Sequence, residues 1–156
     1  MSKLSAGLKS NRRHRFLLAG VLLAACGGGS VALSAQAAIS GPLADAVAAG
    51  KQTFLHDTFG GNHMTCASCH SAAGLGPTVT PSGGHFPSLA NAATIFPHYS
   101  SRAGKVITIE DQVQACVSGG LGGKPPAYGS ITMNELVSYL TSLSQGKPMD
   151  MGGKPK

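Results

Sequence analysis

Tryptophan is absent, and Tyr and Phe number only three and five in 156 residues, so side chains alone would build a thin core. The length allows one small domain once targeting sequence is set aside. A surplus of basic charge is also missing from most of the chain, although the formal net charge is +6. Lys3, Lys9, Arg12, Arg13 and Arg15 all precede the first apolar run, and from Ala38 onward seven Lys and Arg stand against six Asp and Glu. The basicity therefore belongs to the N-terminus and gives no support for a nucleic-acid partner. No internal repeat is visible.

What is present is Cys66-Ala67-Ser68-Cys69-His70, the spacing of a c-type haem attachment site. One turn of helix carries both sulfurs to the same edge of a flat macrocycle, where they form thioethers with the porphyrin vinyls, and the next residue points its imidazole at the iron. A redox disulfide would want a βαβ context and a structural zinc site a second ligand pair; the sequence has neither. Cys66 and Cys69 are thus the covalent anchors of one haem c, and His70 is the proximal iron ligand. The haem itself would fill the core that the scarce aromatics leave thin.

Residues 1–15 form a basic region, and Phe16 to Ala25 an apolar run ending in small residues, the pattern of a bacterial export signal. Two processing sites compete. Leu23-Ala24-Ala25-Cys26 resembles a lipoprotein box followed by a Gly-rich tether, and Ala35-Gln36-Ala37 offers a small-x-small site before Ala38. The third alternative is an uncleaved anchor from Phe16 to about Ala44. Each alternative places the domain on the periplasmic side of the inner membrane, soluble or held there by lipidated Cys26 or the retained segment. The expected organisation is an export segment over 1–37, a haem domain over 38–146 and a flexible tail over 147–156.

Within that domain, Leu43, Val47, Gly50 and Phe54 fall near helical spacing after Pro42. Residues 71–104 are rich in Gly, Pro, Ser and Thr and read as a loop wrapping the haem. Thr108 with Asp111 three residues on predicts a helix from Thr108 to Val117, stopped by Gly119 and Gly120. Thr132-Met133-Asn134-Glu135 has capping-box form and opens a last helix with Met133, Leu136, Val137, Leu140 and Leu143 on its apolar face.

The sixth position on the iron has several candidates: His56, His63, Met64, His85, His98, Cys116, Met133, Met149 and Met151. Met133 lies where a distal methionine would precede the last helix, yet it also falls on that helix's apolar stripe, where Met commonly fills gaps. Cys116 is a thiol left over after Cys66 and Cys69 are consumed and Cys26 is lipidated, removed or membrane-held. In an oxidising compartment such a thiol pairs between molecules, is buried inertly, or binds metal.

Helix, attachment site, wrapping loop and last helix resemble the all-α class I cytochrome c fold over about Leu43 to Gly146, with Gly50, Phe54 and Tyr139 at the places where that family crosses its terminal helices. The resemblance implies that the carbonyl of Pro77 or Pro87 accepts the proximal histidine's hydrogen bond. A narrower likeness lies in Phe96-Pro97-His98-Tyr99-Ser100-Ser101-Arg102 with Gly104, in Ile107 to Cys116, and in Met133 to Leu140 with Leu143 to Pro148. These stretches resemble the haem domains of the thiosulfate dehydrogenase and SoxA group, in which a Tyr-Pro-x-Tyr-like run and an Arg-x-Gly precede a helix carrying a haem-ligating Cys. The likeness implies Cys116 as distal ligand ahead of Met133, and Arg102 as the cation that would serve an anionic sulfur substrate.

This chain departs from that group in two places. It has one attachment site where thiosulfate dehydrogenases of the group carry two haem domains. It also has Val117-Ser118-Gly119-Gly120 where they place an Arg-Ser-Met-Asn-Gly-like segment, which removes a cation from beside the haem. The expectation is accordingly an exported monohaem cytochrome passing single electrons between a periplasmic dehydrogenase or sulfur-oxidising enzyme and the respiratory chain, docked to a redox partner protein. The alternative is a thiosulfate dehydrogenase-like oxidoreductase with a His/Cys-ligated haem.

Overall fold

The computed structural model describes residues 38–155; the expectations for residues 1–37, including the signal, both cleavage sites and Cys26, lie outside the described residues. Helix α1, Pro42–His56, begins with proline in its first turn and buries Gly50 and Phe54, because proline's fixed φ suits a position whose N–H has no helical partner. Helix α5, Ile131–Leu143, buries Met133, Leu136, Tyr139 and Leu140 along one face. Its N-cap is Ser130, whose Oγ accepts from the Met133 N–H at 3.2 Å, so the helix starts ahead of the Thr132 box expected from sequence. Both residues are good caps, and with Ser130 in that place Ile131 and Thr132 join the first turn.

The two long helices cross where α1 has no side chain. A Cβ built on Gly50 would stand 2.0 Å from the Glu135 carbonyl oxygen and 2.5 Å from its carbon, so only glycine permits this approach. One turn later Phe54 meets Tyr139 edge to face, 5.4 Å between ring centroids. Around this crossing the core gathers Val113, Val117, Leu121, Met133, Leu136 and Leu140.

Short elements fill the space between. Helix α2 is Cys66–Cys69, followed by a single 3₁₀ turn at Ala72–Gly74; helix α3 is Ala92–Ile95, and α4 is Ile109–Ala115. Strands β1 (Thr78–Val79) and β2 (His85–Phe86) pair antiparallel, as do β3 (His98–Ser100) and β4 (Lys105–Ile107). The expectation of an all-α class I cytochrome c fold is corrected by these two ladders: residues 71–104 do not simply wrap as loop. Strands of two or three residues are too short to show alternation in the sequence, and the Gly- and Ser-rich turns between them read as loop.

Helix α4 carries the cap expected for it. Thr108 Oγ1 accepts from the Asp111 N–H and Asp111 accepts from the Thr108 N–H at 2.8 Å. After Ala115 the chain enters a π turn, Cys116–Gly120, closed by the Leu121 N–H on the Cys116 carbonyl at 3.1 Å. Past α5, the chain end runs back along α3: Asp150 and Gly152 donate to the Thr94 and Ile95 carbonyls, and Asn91 donates to that of Lys154. No helix among the described residues is long and apolar enough to cross a membrane.

Candidate functional site

The CxxCH motif sits on α2, a single turn held by a reciprocal pair between Thr65 and Ser68. The His70 N–H closes that turn on the Cys66 carbonyl at 3.0 Å. A single turn of this kind is the local geometry that a CxxCH attachment needs; Cys66 lines the cavity described next, and Cys69 and His70 do not. The His70 ring is part-buried, 5.6 Å from Phe86 and 6.5 Å from Phe54 between centroids. Burial lowers its pKa, and the nearby Pro87 carbonyl partly opposes this. Of the two prolines named from sequence, Pro87 is therefore the one facing the ring, while the Pro77 carbonyl accepts from Ser71 Oγ at 3.3 Å. Nδ1 of His70 is buried and has no hydrogen bond of ordinary geometry, so Pro87 acts here by proximity.

Against Phe54 opens a cavity of about 300 Å³ walled by α3, α4 and α5. Its lining is overwhelmingly apolar, including Leu89, Ile95, Ile109, Val113, Val117 and Leu136, and Cys66 and Cys116 both lie on it. The end of α4 and the start of α2 therefore both border this cavity. Burial, and then the charge of Cys116, push the Cys66 thiol up to about 12, and Cys69 is raised by the same two causes. Neither thiol would ionise at neutral pH, which suits sulfurs destined for thioethers better than sulfurs serving as redox nucleophiles.

Cys116 differs from the other two. It is exposed, and Gln112, one helical turn earlier, donates Nε2–H to its Sγ at 3.2 Å. His98 also lines the cavity, stacked on Phe96 at 4.5 Å, with a buried Nδ1 that has no partner. An apolar slot lined by the first Cys of the CxxCH motif, by a second sulfur and by a histidine whose buried Nδ1 has no partner fits a haem held by that motif.

The other candidates are placed elsewhere. Met133 is fully buried in the core beside Val113 and Val117 and does not line the cavity. Arg102 is exposed in the turn between β3 and β4, and among the described residues no Lys or Arg lines the cavity. Lys105 pairs with Asp111 at 3.5 Å on the surface. His56, His63 and His85 are exposed, Met64 packs against the core, and Met149 and Met151 are exposed near the chain end. Sequence reading passed over Gln112 and Phe86. Gln112 was accessible to it, since a residue four before Cys116 on a helix shares its face; Phe86 was not, because only the β1–β2 pairing brings it to His70.

Residues 49–149 match the family described as SoxA/TsdA, cytochrome c domain. The thiosulfate dehydrogenase of Psychrobacter arcticus is 34% identical over 88 residues, covering 56% of this chain and 25% of that protein. That of Allochromatium vinosum is 30% identical over 135 residues, covering 77% of this chain and 46% of that protein. Among solved structures, the thiosulfate dehydrogenase TsdBA from Marichromatium purpuratum superposes with a TM-score of 0.59 at 25% identity, over 74% of this chain and 26% of that one. The chain thus spans between a quarter and a half of the length of these relatives.

Proposed function

The chain belongs to the SoxA/TsdA cytochrome c domain family, and from that premise we propose that it is the haem-bearing part of a thiosulfate dehydrogenase-like sulfur-compound oxidoreductase. Cys66 and Cys69 would hold one haem c covalently, and His70 and Cys116 would ligate its iron. The observation that carries this reading is the presence of Cys66 and Cys116 on one apolar cavity, in a chain whose relatives include thiosulfate dehydrogenases. When bound, the haem supplies one-electron chemistry at iron.

The chain's own residues prepare that chemistry. The apolar wall of Val113, Val117, Leu136 and Leu140 excludes water and favours a neutral iron–porphyrin environment. Burial lowers the His70 pKa and so favours the neutral imidazole that a metal ligand must be. Cys116 stands exposed, where a sulfur substrate can approach it. For thiosulfate, two anions lose two electrons in all as one S–S bond forms between them, with no proton exchanged. The electrons leave one at a time to a redox partner protein on the periplasmic side, to which the N-terminal signal delivers the domain, free or lipid-anchored through Cys26.

A second reading, a single-electron carrier without a substrate of its own, is favoured by one feature: no Lys or Arg among the described residues lines the cavity, so an anion finds no fixed countercharge from them there. Anaerobic addition of thiosulfate to the purified ferric holoprotein separates the two. Appearance of the ferrous spectrum supports the oxidoreductase. An unchanged ferric spectrum, in protein that dithionite reduces fully, supports the carrier.

A further inference from the structure

The π turn at Cys116–Gly120 begins at the cysteine itself, and the residue that reaches back to that sulfur is Gln112. Its Nε2 lies 3.2 Å from Cys116 Sγ, within the range for an N–H donor to sulfur, and both residues line the same cavity. Helical spacing of four places them on one face. The remaining lining is almost wholly apolar, so few other groups there can donate to the sulfur.

We propose that Gln112 is a positioning residue for Cys116: its amide N–H aims the sulfur into the haem cavity and withdraws electron density from it, raising the reduction potential of the iron. This rests on the reading of Cys116 as distal ligand. A thiolate donates charge to ferric iron and so favours the oxidised state. An N–H directed at that thiolate stabilises its negative charge, lessens the donation and shifts the balance toward ferrous iron. The same bond narrows the rotamers open to Cys116, whose thiol is otherwise exposed at the start of a distorted turn. Outer groups that orient a metal ligand commonly act in both ways.

The test uses the holoprotein with Gln112→Leu, which removes the donor at similar bulk, and Gln112→Glu, which replaces it with an acceptor. Spectroelectrochemical titration gives the midpoint potential of each, and ferric EPR gives the ligand field. Loss of a hydrogen bond to a charged sulfur is expected to shift the ferric/ferrous ratio about tenfold toward ferric at fixed ambient potential, which is about 59 mV for one electron. Gln112→Glu should lower the potential further, and Gln112→Arg, which restores an N–H, should recover it. A thiolate EPR signal with unchanged g-values and an unchanged potential in both Gln112→Leu and Gln112→Glu would overturn the proposal while leaving Cys116 as ligand. Absence of any thiolate signal in the unmutated protein would overturn both. Should Gln112→Leu fail to take up haem, Gln112→Glu and Gln112→Arg decide the question by the sign of their shifts.

Discussion

Substituting Gly50 by alanine should destabilise the domain, although it improves the local helix. The new Cβ would stand 2.0 Å from the Glu135 carbonyl oxygen, 2.5 Å from the carbonyl carbon and 3.0 Å from the Leu136 nitrogen. All three are backbone atoms inside α5, so no side chain can swing away. To reach an ordinary 3.4 Å contact the helices must part by about 1.4 Å, which also separates Phe54 from Tyr139. Overpacking costs about 1–3 kcal/mol, and a rigid backbone obstacle puts this site at about 3. Alanine returns about 1 kcal/mol of helix propensity, leaving a net loss of about 2 kcal/mol. For a domain of this size that is a fall in Tm of about 8 °C. Guanidinium unfolding of the holoprotein, followed by the haem absorption and by far-ultraviolet circular dichroism, measures it. Equal or greater stability in Gly50→Ala would refute the close crossing.

Other outcomes follow from the same geometry. Met133→Leu, a volume-conserving exchange in the core, should cost under about 1.5 kcal/mol and leave the ferric and ferrous spectra unchanged; a switch to a high-spin spectrum would show that Met133 binds iron. Asp111 accepts from the Thr108 backbone and from Tyr128 Oη at 2.8 Å, and these bonds hold its carboxyl at about 2, below its ordinary 3.8. A depressed acid favours the folded state when ionised, so this contribution is full above about pH 4 and disappears as pH falls through about 2. NMR titration of the Asp111 carboxyl should give a midpoint near 2 that rises in Tyr128→Phe; a midpoint near 4 in the unmutated protein would contradict the cap geometry.

Much of the frame was legible because it rests on short-range rules. Pro42 and the 43, 47, 50, 54 spacing located α1, and the Thr108–Asp111 pair located the start of α4. The attachment motif needed only five consecutive residues. What escaped depends on contacts distant in sequence or on elements too short for periodicity. The β1–β2 and β3–β4 ladders span two and three residues, and Phe86 reaches His70 only through the first of them. Ser130 and Thr132 compete as caps by composition alone, and the chain uses Ser130, whose Oγ accepts from the Met133 N–H. Pro77 and Pro87 were equivalent until the chain path brought Pro87 to the ring.

Low-temperature EPR of the ferric holoprotein decides whether Cys116 is the iron ligand opposite His70. The expected result is a low-spin thiolate spectrum that is lost in Cys116→Ala while haem stays covalently attached. A His/Met spectrum that persists in Cys116→Ala would contradict it and leave Cys116 as an exposed thiol beside the cavity.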